Sequence, residues 1–489
     1  MSEFSNTLSY FIKSRNISVS ALVKYCELDR STMYKFINGK RNPASRMLVE
    51  KLAEYMNLNP VETTALLEAY QLTEVGEEAY YSRKGVLDFV LSIGDLRFQF
   101  TPESYPNKFI DISSDSNLSP ADCTPLSGRL AVSSAIHMIL QAEASRKDGV
   151  VFLFAQPEHL QMLDIAASLS WLDQSIRIDH ILCIDNSQNL VKSQRNYNLN
   201  CLLKILPFFG TRHQYRPFYY YDNVNSHFNN LNFMPCAFIT FDAAVICSSD
   251  TQKGILFHQS ESIALLKEAY ISMLSSVRPL MTAFTPSPLN FHLKYFSKEF
   301  RNVPDHYTLQ AVPCIIPYFT RELADKYVPA NFPNRLEFLQ NLQQYIKEFP
   351  MKKFHTYFTR KGLQAFLRTG YVSEIPSYIC SKIEFPDRIY LLQKLVNAAE
   401  NGTDIRMLKG KLENFPANFY LSISGPSGYF MLTNSPEQSP AYFFLKEQKL
   451  LHAFHDFAES LEQGEFLLSL DDTKRIVQEE IKRAIALKN

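Results

Sequence analysis

Hydrophobic positions in the first seventy residues recur at helical spacing. Phe4, Leu8, Phe11 and Ile12 share one face of a helix over 4–14. A second helix is predicted over 18–26, with Ser18 as its N-cap and Ala21, Leu22 and Tyr25 turned inward. The turn Glu27-Leu28-Asp29 places Asp29 to cap a third helix over 30–38, whose apolar stripe is Met33, Phe36 and Ile37. Gly39 ends that helix as a left-handed terminal residue. A fourth helix near 45–56 buries Leu48, Leu52, Ala53 and Met56, and a fifth begins at Pro60 and runs to about Tyr70.

The pattern then changes. A helical connector is predicted over 82–97, and the Pro-, Ser- and Asp-rich stretch 101–127 reads as a linker or wrapping loop. A helix follows over 128–146. Short apolar runs at 149–155 and 175–185 suit strands, with an amphipathic helix between them at 157–172, which predicts a parallel or mixed α/β layer. Segments 236–274 and 417–461 share one order: strand, tight turn, strand, polar loop, strand, helix. Upstream of the second, 387–400 reads as a helix and 403–409 as a short strand. This shared order predicts a pseudo-repeat of two α/β lobes. Between them, 290–385 is aromatic-rich and broken by prolines, which predicts short helices such as 336–348. A last helix over 471–487 carries a stripe of Ile476, Ile481, Ala484 and Ile485, and Asp471 and Asp472 suit its positive N-terminal end. The predicted class is multidomain α and α/β. It comprises an all-α five-helix domain (1–72), a connector and linker (73–127), a first α/β lobe (128–290), a mostly helical insert (291–386) and a second α/β lobe (387–489).

Charge adds one constraint. Lys plus Arg and Asp plus Glu both number 50 in 489 residues, so any basic surface is local. Residues 30–43 hold such a surface: Arg30, Lys35, Lys40 and Arg41 without a single acid. The eight cysteines form no CxxC pair and no zinc spacing, which predicts buried reduced thiols. The opening residues lack a signal-peptide pattern, and no apolar run approaches the roughly 18 residues that span a bilayer. These features predict a soluble, cytoplasmic chain without a membrane partner.

The string LVKYCELDRSTMYKFINGKRNP (22–43) joins helix, short turn, helix, Gly and a basic Asn-Pro loop. It resembles the phage-repressor, Cro-like (Xre-type) helix-turn-helix family of transcriptional regulators. The turn position that this family often fills with Gly holds Glu27. The resemblance implies sequence-specific binding to double-stranded DNA, with the 30–38 helix in the major groove. Arg30, Thr32, Tyr34 and Lys35 would face base edges, Ser31 a base or the backbone, and Asn38 lies on the same polar face. Arg can take guanine in a fork, and Thr can meet a thymine methyl. Lys40, Arg41 and Asn42 would hold phosphates. Such small domains gain affinity by pairing half-sites, so a homodimer is expected, with a small-molecule or peptide effector for the α/β region and association with the nucleoid through DNA.

Over 130–462 the order of elements resembles two-lobed phospholipase-D-like modules that serve some regulators as sensors. Enzymes of that superfamily need His-x-Lys followed by Asp in each lobe. The chain is expected to lack the triplet throughout, and His258 is followed by Gln259 and Ser260. The implied role is a catalytically inactive sensor. Other candidates read more plainly as structure. His452 and His455 lie i, i+3 on a helix; 212–222 reads as an aromatic strand; SGPSG (424–428) reads as a hairpin turn. No catalytic set, cofactor site or metal site is expected. The alternative is an enzyme or defence effector that carries a helix-turn-helix domain for targeting or autoregulation.

Overall fold

A computed structural model describes residues 2–94, 123–157, 175–186, 196–210, 213–224, 233–284, 305–348, 353–372, 375, 377, 379–425, 427–433, 440–462 and 464–488. The helix predicted over 157–172 and most of the 101–127 stretch lie outside these residues. The chain divides into two compact units, Met1–Gly85 and Val86–Asn489.

The first unit is helical: α1 (Glu3–Ser14), α2 (Val19–Tyr25), α3 (Arg30–Ile37), α4 (Arg46–Tyr55) and α5 (Pro60–Val75). Phe4, Leu8, Leu22, Met33, Val49, Leu52 and Leu66 are fully enclosed in its core. A capping box between Asn59 and Glu62 starts α5, which outruns the predicted end at Tyr70. The next helix, α6 (Glu77–Ile93), crosses the division at Gly85, so the predicted boundary at residue 72 falls too early. Its beginning is fastened to α5 by Glu68, which accepts from the Tyr80 hydroxyl at 2.9 Å and pairs with Lys84 at 2.9 Å.

The second unit holds two mixed sheets. In chain order the first lobe contains β1 (Cys123–Ser127), α7 (Arg129–Ala144), β2 (Val150–Phe154), β3 (Arg177–Asp185), α8 (Tyr197–Ile205) and β4 (Gln214–Asp222). It continues with β5 (Cys236–Ile239), β6 (Ala244–Cys247), β7 (Lys253–Phe257), α9 (Ser260–Leu274) and β8 (Arg278–Pro279). The second lobe contains β9 (Met281–Phe284), β10 (Asp305–Gln310), α10 (Arg321–Tyr327), α11 (Arg335–Glu348), β11 (Lys353–Phe358), α12 (Arg360–Thr369), α13 (Phe385–Glu400) and β12 (Asp404–Met407). It closes with β13 (Phe419–Ser424), β14 (Ser427–Leu432), β15 (Ala441–Leu445), α14 (Gln448–Ser460) and α15 (Leu470–Ala486).

The first sheet runs β1-β7-β6-β5-β2-β3-β4-β8, and the second runs β9-β15-β14-β13-β10-β11-β12. Raising each number of the first seven strands by eight reproduces the second sheet. The directions match too: β2, β3 and β4 are parallel, as are β10, β11 and β12, and the remaining pairs are antiparallel. Even β8 has a counterpart, because Leu467 bridges antiparallel to Leu408 just beyond β12. The α/β region is therefore built of two related lobes, with a duplication that covers every described strand of the two sheets. One core joins them: Val151, Leu182 and Val245 of the first sheet share it with Leu309, Leu421 and Phe430 of the second. Phe89 of α6 enters the same core edge-on against Phe419, Phe430 and Phe454.

This topology corrects two expectations. Residues 291–386 are not a mostly helical insert, since β10 and β11 are interior strands of the second sheet. Their sequences, DHYTLQ and KFHTYF, hide the apolar signal because His306, Thr308, Gln310 and Thr356 are themselves buried. The Thr308 and Thr356 hydroxyls hydrogen-bond across the strands at 3.2 Å, which is how such positions tolerate burial. Second, Cys123–Ser127 is no linker but strand β1, paired with β7.

In the first lobe, His180 on β3 is completely buried. Its Nε2 faces the Ala155 carbonyl at 3.0 Å, and a carbonyl only accepts, so the proton sits on Nε2. Nδ1 then accepts from the Tyr215 hydroxyl at 2.6 Å. Burial pushes the imidazole pKa down to about 4. A folded-state pKa below the unfolded value means the unfolded chain takes the proton first as pH falls. Stability from this residue is thus complete above about pH 6.5 and is lost down to about pH 4, at a cost of about 3 kcal/mol. Denaturant midpoints between pH 7 and pH 4 should fall less steeply for His180→Gln than for the parent chain.

Candidate nucleic-acid interface

The interface is built by local rules. Asp29 caps α3: its carboxylate accepts the Thr32 N–H at 2.7 Å and the Thr32 hydroxyl at 2.5 Å. The hydroxyl bond and then the backbone bond from Thr32 hold the Asp29 carboxyl below its usual range. Met33 and Phe36 anchor the inner face of α3 in the core, and Ile37 packs beside them half-buried. Gly39 follows at φ +69°, and a Cβ there would stand 2.9 Å from the Ser5 Oγ, so both the turn and the packing need glycine. Beyond it, the Lys40 and Arg41 N–H groups donate to the Lys35 carbonyl at 2.8 and 3.3 Å, fixing the basic loop against the end of α3. Ser45 then caps α4.

With the inner face so anchored, Arg30, Ser31, Tyr34, Lys35 and Asn38 stand exposed along one side of α3, followed by exposed Lys40 and Arg41. Arg30 lies over the Tyr34 ring at 5.8 Å. Among the described residues, no ion pair holds Arg30, Lys35, Lys40 or Arg41, so all four cations are open to a partner's charge. Asn42 is half-buried beside buried Pro43. Thr32 is half-buried, and its hydroxyl is engaged in the cap, which leaves its methyl group for a contact with a base.

Three smaller expectations also change. Tyr25 points outward, with its ring against Tyr55 at 5.0 Å, and Ala21 is half-buried. A helix of seven residues brings only Leu22 inward, and Cys26 at its C-cap fills the next core position. Val49 replaces Leu48 on the buried stripe of α4. Glu27, in the turn between α2 and α3, adopts φ +55°. Left-handed backbone strains a side-chain-bearing residue, while glycine adopts it freely but loses more chain entropy. Glu27→Gly should therefore raise the stability of the first unit by about 0.5–1 kcal/mol in a thermal or denaturant melt.

The other sequence candidates resolve into structure. Arg216 of the 212–222 strand is clamped to Asp179 by two bonds of 2.6 Å. On either side of Pro426, which lies outside the described residues, Ser424 of β13 pairs with Ser427 of β14. His452 is exposed, while His455 meets the Tyr307 ring edge-on at 5.7 Å. Seven of the eight cysteines are buried, Cys123 is exposed, and all are free thiols. The expectation that the chain lacks His-x-Lys is corrected at one place, His292-Leu293-Lys294, which lies outside the described residues; the sequence holds no second triplet, which a two-lobed enzyme would need. Among the described residues, no helix is long and apolar enough to cross a membrane.

No protein-family model matches the chain, and no curated protein matches it. Solved structures show a loose likeness, two of them as follows. One is TrmBL2, an archaeal chromatin protein described with a novel mode of DNA binding, at 10% identity over 46% of this chain and 78% of its own, with a TM-score of 0.20. The other is the phosphatidylserine synthase of Haemophilus influenzae Rd KW20, at 12% identity over 75% of this chain and 93% of its own, with a TM-score of 0.22. Superpositions this loose carry no weight for fold or function, so the reading rests on the residues themselves.

Proposed function

We propose that the first unit binds double-stranded DNA in a sequence-specific way, with α3 in the major groove, and that the chain is a transcriptional regulator. The observation that carries this is the outer side of α3 and its loop. Four unpaired cations stand there with Ser31, Tyr34 and Asn38, on a helix locked from behind by Met33 and Phe36. Arg30 and Lys35 read bases, with Tyr34 and Asn38 beside them, while Lys40, Arg41 and Asn42 fix the register on phosphates. In this reading the chain acts as a homodimer on paired half-sites. The two-lobed unit sets when it binds by answering a small-molecule or peptide effector, and it catalyses no reaction.

Salt dependence tests the assignment of the loop. Binding that neutralises phosphates weakens linearly with log salt, by about 0.9 in slope for each contact. Lys40→Gln with Arg41→Gln removes two contacts from each half-site, so it should shrink the slope of the dimer by about 3.6 and weaken all duplexes alike. An unchanged slope would remove both residues from the interface.

A further inference from the structure

We propose that His355, Asp404 and Glu462 form a site for one divalent transition-metal ion of the zinc type. The inference is independent of DNA binding. Strand register brings the first two together: Tyr307 of β10, His355 of β11 and Asp404 of β12 lie on one rung of the second sheet. Glu462 arrives just past the end of α14. The His355 Nδ1 stands 2.8 Å from Asp404 Oδ2 and 3.1 Å from Glu462 Oε1, and the three donor atoms lie within 4.8 Å of one another.

Protons alone serve this arrangement poorly. Nδ1 carries at most one hydrogen for two carboxylate oxygens. The same two oxygens are already oriented by phenols: Tyr357 donates to Asp404 Oδ2 at 3.0 Å, and Tyr307 donates to Glu462 Oε1 at 2.9 Å. Arg406 bonds the other oxygen of Asp404, at 2.5 Å, and leaves Oδ2 facing inward. The far nitrogen of the ring, Nε2, is buried without a hydrogen bond and lies 3.8 Å from Asp305 Oδ1. A carboxylate behind the remote nitrogen is the usual way a metal-ligating imidazole is oriented. The Tyr307 ring stacks on the imidazole at 4.4 Å and fixes its plane.

The duplication supplies an internal comparison. The same rung of the first lobe holds Phe152, Asp179 and Arg216, and there the Arg216 guanidinium closes both oxygens of Asp179. In the second lobe, the Asp179 and Arg216 positions hold His355 and Asp404; Arg406 reaches only the outer oxygen of Asp404, and an ion between Oδ2, the imidazole and Glu462 adds positive charge on the inner side. One imidazole nitrogen with two carboxylate oxygens favours zinc-type ions over magnesium or calcium. Glu462 is one-third exposed, so the fourth coordination position opens to solvent. The bound ion ties the end of α14 to β11 and β12.

The test is zinc titration of the full chain after chelator treatment, read against a competing chromophoric chelator, with cobalt absorption reporting the ligand set. The expected result is one ion per chain. Affinity falls at least tenfold in Glu462→Gln, whose exposed side chain can change without unfolding the chain. It is lost in His355→Gln and falls about 10- to 100-fold in Asp305→Asn. Circular dichroism without metal checks that each variant is folded. Failure to take up one ion per chain, or an affinity unchanged in folded Glu462→Gln, overturns the proposal.

Discussion

Replacing Arg30 and Lys35 together by alanine should abolish sequence-specific duplex binding and leave the first unit folded. Both side chains are exposed and lie opposite the Met33 and Phe36 anchors, and alanine is the best helix former. Stability should therefore be almost untouched. Each specific base contact is worth about 1–3 kcal/mol, so the two lost from each half-site amount to about 2–6 kcal/mol, or roughly 30-fold to 10⁴-fold in Kd per half-site. Fluorescence anisotropy with the preferred duplex and a scrambled duplex reads the change. Affinity for the preferred sequence should fall to that for the scrambled one. A variant that still discriminates between them places recognition elsewhere.

The largest effect on stability is expected from Gly362→Ala. Gly362 lies in the first turn of α12, where its N–H donates to the Thr359 hydroxyl at 2.9 Å. Thr359 in turn donates its N–H and its hydroxyl to the Ala311 carbonyl at 3.1 and 3.2 Å. These bonds draw the helix start onto the chain just past β10. A Cβ on Gly362 would fall 1.8 Å from the Ala311 oxygen and 2.3 Å from its carbon. Both atoms are backbone, so no side chain can swing aside. The helix must move or its cap must break, and a cost above about 4 kcal/mol is expected. Denaturant melts of the full chain should show the second unit unfolding at a far lower midpoint. A shift smaller than about 1 kcal/mol would show that α12 slides freely over this contact.

The first unit was legible because its signals are local. Ser18, Asp29 and Ser45 cap the helices that follow them, Gly39 sits in left-handed backbone, and the apolar stripes land inside with single-position shifts at Tyr25 and Leu48. The exposed face of α3 followed from those stripes. The cap bond from the Thr32 hydroxyl to Asp29 did not, because it depends on side-chain rotamers that spacing does not show. In the larger unit, the repeated order over 236–274 and 417–461 was readable. The full extent of the duplication was hidden by β10 and β11, where buried His306, Thr308, Gln310 and Thr356 interrupt the alternation. The His355 cluster was invisible for a different reason. Its residues are separated by 49 and 58 positions, and only the register of parallel strands and the end of α14 bring them together.

The most direct test of the central claim is selection of binding sites from a pool of random duplexes by the full chain. The account predicts enrichment of a defined sequence, paired half-sites about one helical turn apart or a multiple of it, and no enrichment with Arg30→Ala/Lys35→Ala. A pool that stays random, or one that both proteins enrich equally, would contradict it.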